Sequence, residues 1–164
     1  MIKKTIMLGV VFLVLATPVS VITIQNKINS FNLFPFKCLT FTRYILNDNN
    51  KDIYFNVSQD LRFYSLQDGY FLIGGTTQSG DKISKINRSV RFEAGSLTQG
   101  KTFSYKIKSI EKLNGDDITD DLFQLLLNEY TIGKDDFQVD VFKIDNLSYL
   151  IGGPHSFINT CTRY

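Results

Sequence analysis

Two cysteines are the first residues of the sequence that could do chemistry. Cys38 opens a predicted strand, and Cys161 lies near the other end of the predicted domain. In an oxidising compartment an even pair of this kind favours a single disulfide. It would close a loop of about 124 residues and stabilise the domain by roughly 4–5 kcal/mol. Two free thiols are the alternative. Nothing indicates a catalytic cysteine, because the one histidine, His155, has no evident partner.

Arg88 is the second candidate. In a strand it shares a face with Ile86, Val90 and Phe92, which places its guanidinium among apolar side chains. A buried guanidinium needs a partner. That partner could be an internal Asp or Glu, or an anionic ligand inside a barrel, and the sequence leaves both possibilities open.

A group of four acidic residues could suggest a cation site: Asp116, Asp117, Asp120 and Asp121. It lacks the alternating ligand spacing and the glycine of a calcium loop, and helix capping explains it better. The sequence contains no phosphate loop, metal cluster or nucleophile motif. We therefore predict no metal, no cofactor and no enzymatic activity.

The first 24 residues predict where the rest of the chain lies. Two lysines precede the uncharged run Thr5–Ile24, whose length as a helix matches a hydrocarbon core of roughly 30 Å. Basic residues before such a run keep the N-terminus in the cytoplasm. We expect a cytoplasmic tail at 1–5 and a transmembrane anchor at 6–24, or else a signal peptide cleaved after Ala16. Both alternatives export the remaining residues.

The exported part reads as a mainly β domain with one helix, over residues 38–164, after a juxtamembrane linker at 25–37. The strands are predicted at 38–46, 53–63, 70–76 (ending in Gly74-Gly75), 83–92, 103–110, 137–144 and 148–152. Apolar residues at helical spacing predict a helix over 118–130, with Thr119 as its N-cap. Turn signals every 8–12 residues favour an antiparallel barrel or sandwich of about eight strands.

The charge balance argues against nucleic-acid binding. Without Lys3 and Lys4 the 18 basic residues fall to 16, which equals the number of acidic residues. Proteins that bind DNA or RNA directly carry a positive excess that neutralises phosphates. We therefore expect no direct contact of the exported domain with nucleic acid.

Several motifs in a fixed order resemble the FidL-like family of bacterial membrane proteins. Each is weak alone, and together they extend over nearly the whole chain. They are the basic start with its apolar span, Cys38, Gly74-Gly75, Arg88-x-Val90-x-Phe92, the Asp-rich stretch 116–121, and Leu150-Ile151-Gly152-Gly153-Pro154 before Cys161.

This resemblance implies a ToxS- or VtrC-type protein, encoded beside a membrane-bound transcription regulator with a cytoplasmic winged-helix domain. The exported domains of the two proteins would pair, and in the VtrC-like case the pair forms a lipocalin-like barrel whose apolar chamber binds bile salts. We accordingly expect a single-pass inner-membrane sensor subunit with a periplasmic domain. The candidate ligand-binding residues are Phe41, Phe55, Phe63, Arg88, Phe103 and Tyr105.

Two other functions compete with this hypothesis. The first is an anchored barrel that binds an apolar ligand without any regulator. The second is an envelope enzyme, for which the sequence offers no catalytic set.

Overall fold

The computed structural model describes residues 34–48, 50–98 and 101–164. The predicted tail and anchor at 1–24, and most of the predicted linker, lie outside the described residues. Within the described ranges, no helix has the length and hydropathy needed to cross a membrane.

Nine strands account for most of the described residues. They are β1 (Phe36–Asp48), β2 (Lys51–Phe63), β3 (Asp68–Ser79), β4 (Lys82–Thr98), β5 (Thr102–Lys112), β6 (Thr131–Ile132), β7 (Asp136–Lys143), β8 (Ser148–Gly152) and β9 (Phe157–Arg163). Helix α1 (Asp120–Leu127) and a 3₁₀ helix (Asn128–Tyr130) lie between β5 and β6.

Eight of these strands close an antiparallel barrel. The order is β5-β4-β3-β2-β1-β9-β8-β7, and β7 pairs in turn with β5, so the sheet returns to its starting strand. The short β6 pairs only with β7 in the described part of the chain. A sheet closed on itself excludes a two-sheet sandwich, so the barrel is the correct one of the two predicted architectures.

Alternating apolar residues explain why the barrel has a solid core. Phe63 of β2 stacks on Phe103 and Tyr105 of β5, with 5.3 Å between ring centroids in each pair. Phe92 of β4 stacks on Phe137 of β7 at 4.8 Å. Burial of these large rings is the main source of stability for a barrel of this kind.

Helix α1 begins as the sequence predicts and ends earlier. Thr119 is the N-cap, and its hydroxyl accepts a hydrogen bond from the Leu122 N–H at 3.5 Å. The α-helix stops at Leu127, and the predicted last turn is a 3₁₀ helix whose Tyr130 is buried. The Tyr130 ring lies 4.9 Å from that of Phe71, so this segment packs on the inner face of β3.

Three details of the sheet differ from the prediction. Gly74-Gly75 lies inside β3, which continues to Ser79. Strand β4 runs on to Thr98, because bulges absorb the irregular stretch around Ala94, whose φ is +55°. The segment after Pro154, for which no strand is predicted, forms strand β9.

Candidate functional site

The contact between β1 and β9 is the shortest seam of the closed barrel. Strand β1 pairs with β2 over its whole length, but it pairs with β9 only at Cys38↔Arg163 and Leu39↔Thr162. Beyond these pairs no backbone pairing between the two strands is present in the described residues. We call the stretch between Thr40–Asn47 of β1 and Phe157–Cys161 of β9 the β1–β9 gap.

A disulfide holds the paired end of this seam. Cys38 and Cys161 are bonded, with their Cα atoms 5.6 Å apart and a sequence separation of 123. Both cysteines are buried on the inner side of the wall. The bridge predicted from the sequence is therefore present, and it fastens the strands where backbone pairing is shortest.

The backbone of β1 presents unpaired groups to the β1–β9 gap. The Tyr164 N–H donates to the Lys37 carbonyl at 3.3 Å, so the backbone of Lys37 faces β9. Backbone direction alternates along a strand, and therefore Phe41, Arg43 and Ile45 also direct their N–H and C=O groups to this side. Within the described residues no strand pairs with these groups on the β9 side. The stretch Thr40–Asn47 of β1 is therefore an open edge.

Large apolar side chains flank this edge on the outside. Phe41 is 79% exposed and Ile45 is 59% exposed. Phe41 stands between two grooves, one of about 460 Å³ toward β3 and one of about 380 Å³ toward β9. Gly75 lines the first groove with φ +148°, where a Cβ would lie 2.1 Å from the Asn56 carbonyl oxygen. Glycine is thus required there.

Four polar side chains meet inside the barrel behind the β1–β9 gap. The Gln59 Oε1 accepts hydrogen bonds from the Tyr44 and Tyr130 hydroxyls at 2.9 and 3.1 Å, and from the Asn159 Nδ2 at 3.0 Å. Complete burial raises the pKa of Tyr130 well above its usual value. Among the described residues, Gln59 Nε2 and Asn159 Oδ1 are buried without a hydrogen-bond partner, which leaves an amide NH2 group and a carbonyl acceptor unsatisfied.

Arg88 is buried with acidic partners, one of the two alternatives that the sequence leaves open. Its Nε lies 3.2 Å from Asp116 Oδ2, and its Nη1 lies 2.8 Å from Asp120 Oδ1. Its Nη2 donates to the Ile118 carbonyl at 2.9 Å, and the guanidinium lies 4.4 Å from the Phe123 ring centroid. Lys112 and Arg88 together hold the pKa of Asp120 below its usual value.

The acidic stretch before α1 seals an edge of the sheet as well as the helix start. The Asn87 N–H donates to Asp116 Oδ2 at 2.9 Å, and the Lys85 N–H donates to Asp117 Oδ1 at 2.5 Å. These carboxylates take the place of strand carbonyls along the first residues of β4. Helix capping alone, as the sequence suggests, is therefore wrong for Asp116 and Asp117, whereas Asp120 and Asp121 do lie in the first turn.

The sequence matches a known family over residues 75–161. The model of the family described as "FidL-like putative membrane protein" matches residues 75–161, more than half of the 164 residues. The chain belongs to the FidL-like family. No curated protein matches the sequence. The match runs from β3 to Cys161, and it includes Arg88, the acidic stretch and α1 but not β1.

The structure of this FidL-like protein places the predicted ligand residues in two environments. Five of them are buried inside the barrel: Phe55, Phe63, Arg88, Phe103 and Tyr105. Burial raises the pKa of the Tyr105 hydroxyl, which has no hydrogen-bond partner in the part of the chain that the structure describes. Phe41 lies on the outer face, separate from the others. Ligand binding by these residues stays a prediction.

The sequence does not predict two polar residues of the barrel interior, Gln59 and Asn159. Gln59 lies on an inward strand position where the pattern calls for an apolar residue, and this break in alternation is a weak signal. Asn159 belongs to β9, and nothing in the sequence around it predicts a strand. Only the closure of the barrel brings these two residues together.

Proposed function

We propose that this FidL-like protein is a membrane-anchored periplasmic subunit that pairs with and modulates a ToxR-like transmembrane transcription regulator. The observation that carries the proposal is the open edge of β1. An exposed edge strand offers a row of unpaired backbone groups to another chain, and proteins that stay monomeric normally cover or shorten such an edge. In this chain the edge is long and is flanked by the exposed rings and side chains of Phe41 and Ile45.

Pairing at this edge gives a physical route for modulation. A second strand paired with β1 would stabilise the barrel at the β1–β9 gap, where backbone pairing is incomplete in the described residues. Any signal that changes the barrel would then change the affinity of the pair. A ligand shifts the regulator only by the difference between its affinities for the paired and unpaired states.

Co-purification tests this proposal. The full chain would be isolated in mild detergent from membranes that also hold the winged-helix regulator encoded beside it. We expect the regulator to co-purify with the natural chain, and Phe41→Asp combined with Ile45→Asp to reduce recovery at least fivefold. Ile83→Asp is the matched control, because Ile83 is 66% exposed on β4, away from the gap. Equal recovery with all three chains would contradict the proposal.

The proposal includes an amphipathic ligand of the bile-salt type. Support comes from the aromatic interior, where five residues each have a buried polar atom that no other described residue bonds: Gln59, Thr77, Tyr105, Thr131 and Asn159. Hydroxyl groups of a ligand could satisfy such atoms while its apolar body contacts the rings. Because the rings pack on one another, the ligand needs them to move or needs a chamber shared with the partner.

A stand-alone barrel that binds an apolar ligand is the second candidate, and the same unpartnered atoms favour it. A thermal-shift titration with deoxycholate below its micellar concentration separates the two. If the protein alone is stabilised to saturation, the stand-alone function is favoured. If stabilisation requires the regulator, the paired sensor is favoured, and no shift in either sample would remove the ligand from the proposal.

A further inference from the structure

The chain enters the barrel at the end that carries the β7–β8 turn. Because neighbouring strands are antiparallel, the start of β1, the end of β9 and the β2–β3, β4–β5 and β7–β8 turns all lie at this end. Arg163 joins three of these segments, since its N–H donates to the Leu147 carbonyl at 2.7 Å and its Nη2 donates to the Pro35 carbonyl at 3.2 Å. We call this end the near end, and the opposite end, with the β1–β2 and β3–β4 turns, the far end.

The β7–β8 turn exposes two large aliphatic side chains at the near end. Ile144 and Leu147 are each 59% exposed. The turn itself is made by Asp145, whose carboxylate accepts hydrogen bonds from the Leu147 and Ser148 N–H groups at 2.8 and 2.7 Å. A turn of this kind needs its polar residues, but it does not need exposed Ile and Leu on either side of them. These two side chains therefore form a fixed apolar tip that a partner could bury.

The near end is also the end that the predicted membrane anchor holds close to the bilayer. Residues 25–33 separate the predicted span at 6–24 from the described residues, and nine residues extend over at most about 32 Å. A thirteen-residue strand such as β1, tilted as barrel strands are, rises by about 30 Å. Contact of the far end with the membrane would therefore require an almost fully extended linker, whereas contact of the near end would not. A short tether also raises the effective concentration of a weak contact.

The two ends of the barrel differ in charge. At the far end, the β1–β2 and β3–β4 turns and the stretch from β5 into the first turn of α1 carry six acidic and three basic residues: Asp48, Asp81, Asp116, Asp117, Asp120 and Asp121 against Lys51, Lys82 and Lys112. At the near end, the turns and strand ends carry two acidic and four basic residues: Asp68 and Asp145 against Lys37, Lys101, Lys143 and Arg163. A surface of anionic lipid headgroups would attract the near end and repel the far end.

We propose that the near end of the barrel binds the lipid surface of the membrane that holds the anchor, with Ile144 and Leu147 among the headgroups and Lys143 beside their anionic phosphates. The proposal rests on the membrane anchor of the proposed function and not on the regulator. Among the described residues Lys143 forms no ion pair, and its Nζ donates to Asn146 Oδ1 at 3.4 Å. Two further residues at the near end suit the boundary between hydrocarbon and water, since tyrosine combines an apolar ring with a polar tip: Tyr64 and Tyr164, 48% and 60% exposed.

Tryptophan fluorescence tests the proposal, because the chain contains no tryptophan of its own. Leu147→Trp places a single reporter at the near end. Ile83→Trp is the matched control, since Ile83 is 66% exposed on β4 at the far end. Each full chain is reconstituted in vesicles of phosphatidylcholine and phosphatidylglycerol, with or without bromine on the acyl chains close to the headgroups. We expect bromine to reduce the emission of Leu147→Trp at least twofold and to leave that of Ile83→Trp unchanged. Equal quenching of the two variants, or none in either, would overturn the proposal.

Charge substitutions test the anionic headgroup as the ligand. In the Leu147→Trp chain, Lys143→Glu should remove at least half of the quenching in vesicles that contain phosphatidylglycerol and much less in vesicles of phosphatidylcholine alone, because only the first surface repels the new carboxylate. Lys82→Glu makes the same change of charge at an exposed position of the far end and should leave the quenching unchanged. Circular dichroism checks that each variant folds. An equal effect of Lys143→Glu in both kinds of vesicle, or of Lys82→Glu and Lys143→Glu, would overturn this part of the proposal.

Flotation of the same vesicles separates this proposal from the proposed function on which it rests. A chain that does not float with the vesicles removes the anchor and the proposal together. A chain that floats but whose Leu147→Trp emission is not quenched keeps the anchor and overturns the lipid contact. A change in this emission that requires the regulator or a second copy, without quenching by lipid, would place a protein on the near end and would also overturn the proposal. Quenching in vesicles without the regulator supports the lipid contact whether or not the regulator co-purifies.

Discussion

Strands β4 and β1 both extend past a neighbouring strand, but only the exposed edge of β4 is hydrogen-bonded by another described segment. Over Lys82–Asn87, β4 extends beyond its pairing with β5, and the loop before α1 bonds the backbone of Lys85 and Asn87. Leu113 N–H donates to the Asn87 carbonyl at 2.8 Å, and the N–H groups of Asp117 and Ile118 donate to the Lys85 carbonyl at 3.1 and 3.2 Å. Over Thr40–Asn47, β1 runs beyond its pairing with β9, and no described strand covers it.

The difference lies in the supply of acceptors and of charge. The β4 edge is closed by two carboxylates that imitate strand carbonyls, and the same acidic stretch neutralises the buried Arg88. Over Thr40–Asn47 the β1 edge contains no carboxylate residue, and within the described residues Arg43 forms no ion pair and lies over the Tyr54 ring. The closed edge thus shows how carboxylates of the chain itself can satisfy the N–H groups of a strand edge in this barrel.

Removal of the disulfide should cause the largest loss of stability. The loss should be concentrated at the β1–β9 seam. Combining Cys38→Ala with Cys161→Ala frees a loop of about 123 residues, for which the loop-entropy model gives about 4–5 kcal/mol as an upper bound. The free energy of unfolding is measured by denaturant titration of the full chain in mild detergent. Because backbone pairing between β1 and β9 is so short, we expect the closure of the barrel to depend on this bond.

Hydrogen exchange shows where the loss occurs. Amides of β9 should exchange faster in the cysteine-free variant, while amides of β3 should keep their protection until global unfolding. A uniform rise in exchange through β3 and β4 would show that the β1–β9 seam is no weaker than the rest of the wall.

Loss of the Asp116 side chain should cause the next largest loss of stability. This loss should be concentrated at the covered edge of β4. Its side chain is fully buried, and Asp116→Ala would leave the Arg88 guanidinium without its buried partner and the Asn87 N–H without an acceptor. Breaking a buried ion pair from one side costs about 3–5 kcal/mol. Denaturant titration measures the loss, and exchange of the Asn87 amide reports the opening of the edge.

A double substitution is the control for this effect. Asp116→Ala combined with Arg88→Met removes both charges and should recover a large part of the lost stability, since an apolar replacement of a buried pair is often neutral. If the double variant is no more stable than Asp116→Ala, the buried charge is not the cause of the loss.

The sequence predicts the class of fold because its evidence is local. Alternation places Ile86, Arg88, Val90 and Phe92 on one face, and the structure confirms that all four are buried. The turn between β7 and β8 also has a local cause, since the Asp145 carboxylate accepts hydrogen bonds from the Leu147 and Ser148 N–H groups. Patterns of period two and side chains that bond their own backbone need no knowledge of distant strands.

The site is harder to predict because it depends on contacts distant in sequence. Alternation divides Phe41 and Phe63 correctly between two faces only when the register of each strand is known. The partner of Arg88 depends on a loop about 28 residues further along, and Asn159 meets Tyr44 only after the barrel closes. The extent of the β1–β9 gap is a property of the closed sheet, and no single segment encodes it.

A pair of proline substitutions should give the smallest effect and compares the two edges directly. Lys85→Pro removes an N–H that donates to Asp117 on the closed edge, and it leaves that carboxylate short of a donor. Arg43→Pro removes an N–H that faces the open edge, where proline is tolerated because no ladder bond is lost. Arg43→Pro also removes the contact between the Arg43 guanidinium and the Tyr54 ring, which lowers the stability of this variant slightly.

The comparison of these two variants in the isolated chain depends on whether the β1 edge is free. We expect Lys85→Pro to lower the free energy of unfolding by about 1–2 kcal/mol more than Arg43→Pro does, because a hydrogen bond to a charged group is lost only in the first. With a partner strand bound, the difference between the two losses in free energy of unfolding should become smaller or change sign. Arg43→Pro would then remove a ladder hydrogen bond to the partner. Equal losses in the isolated chain would mean that the β1 edge is already covered, and the two edges would no longer differ in kind.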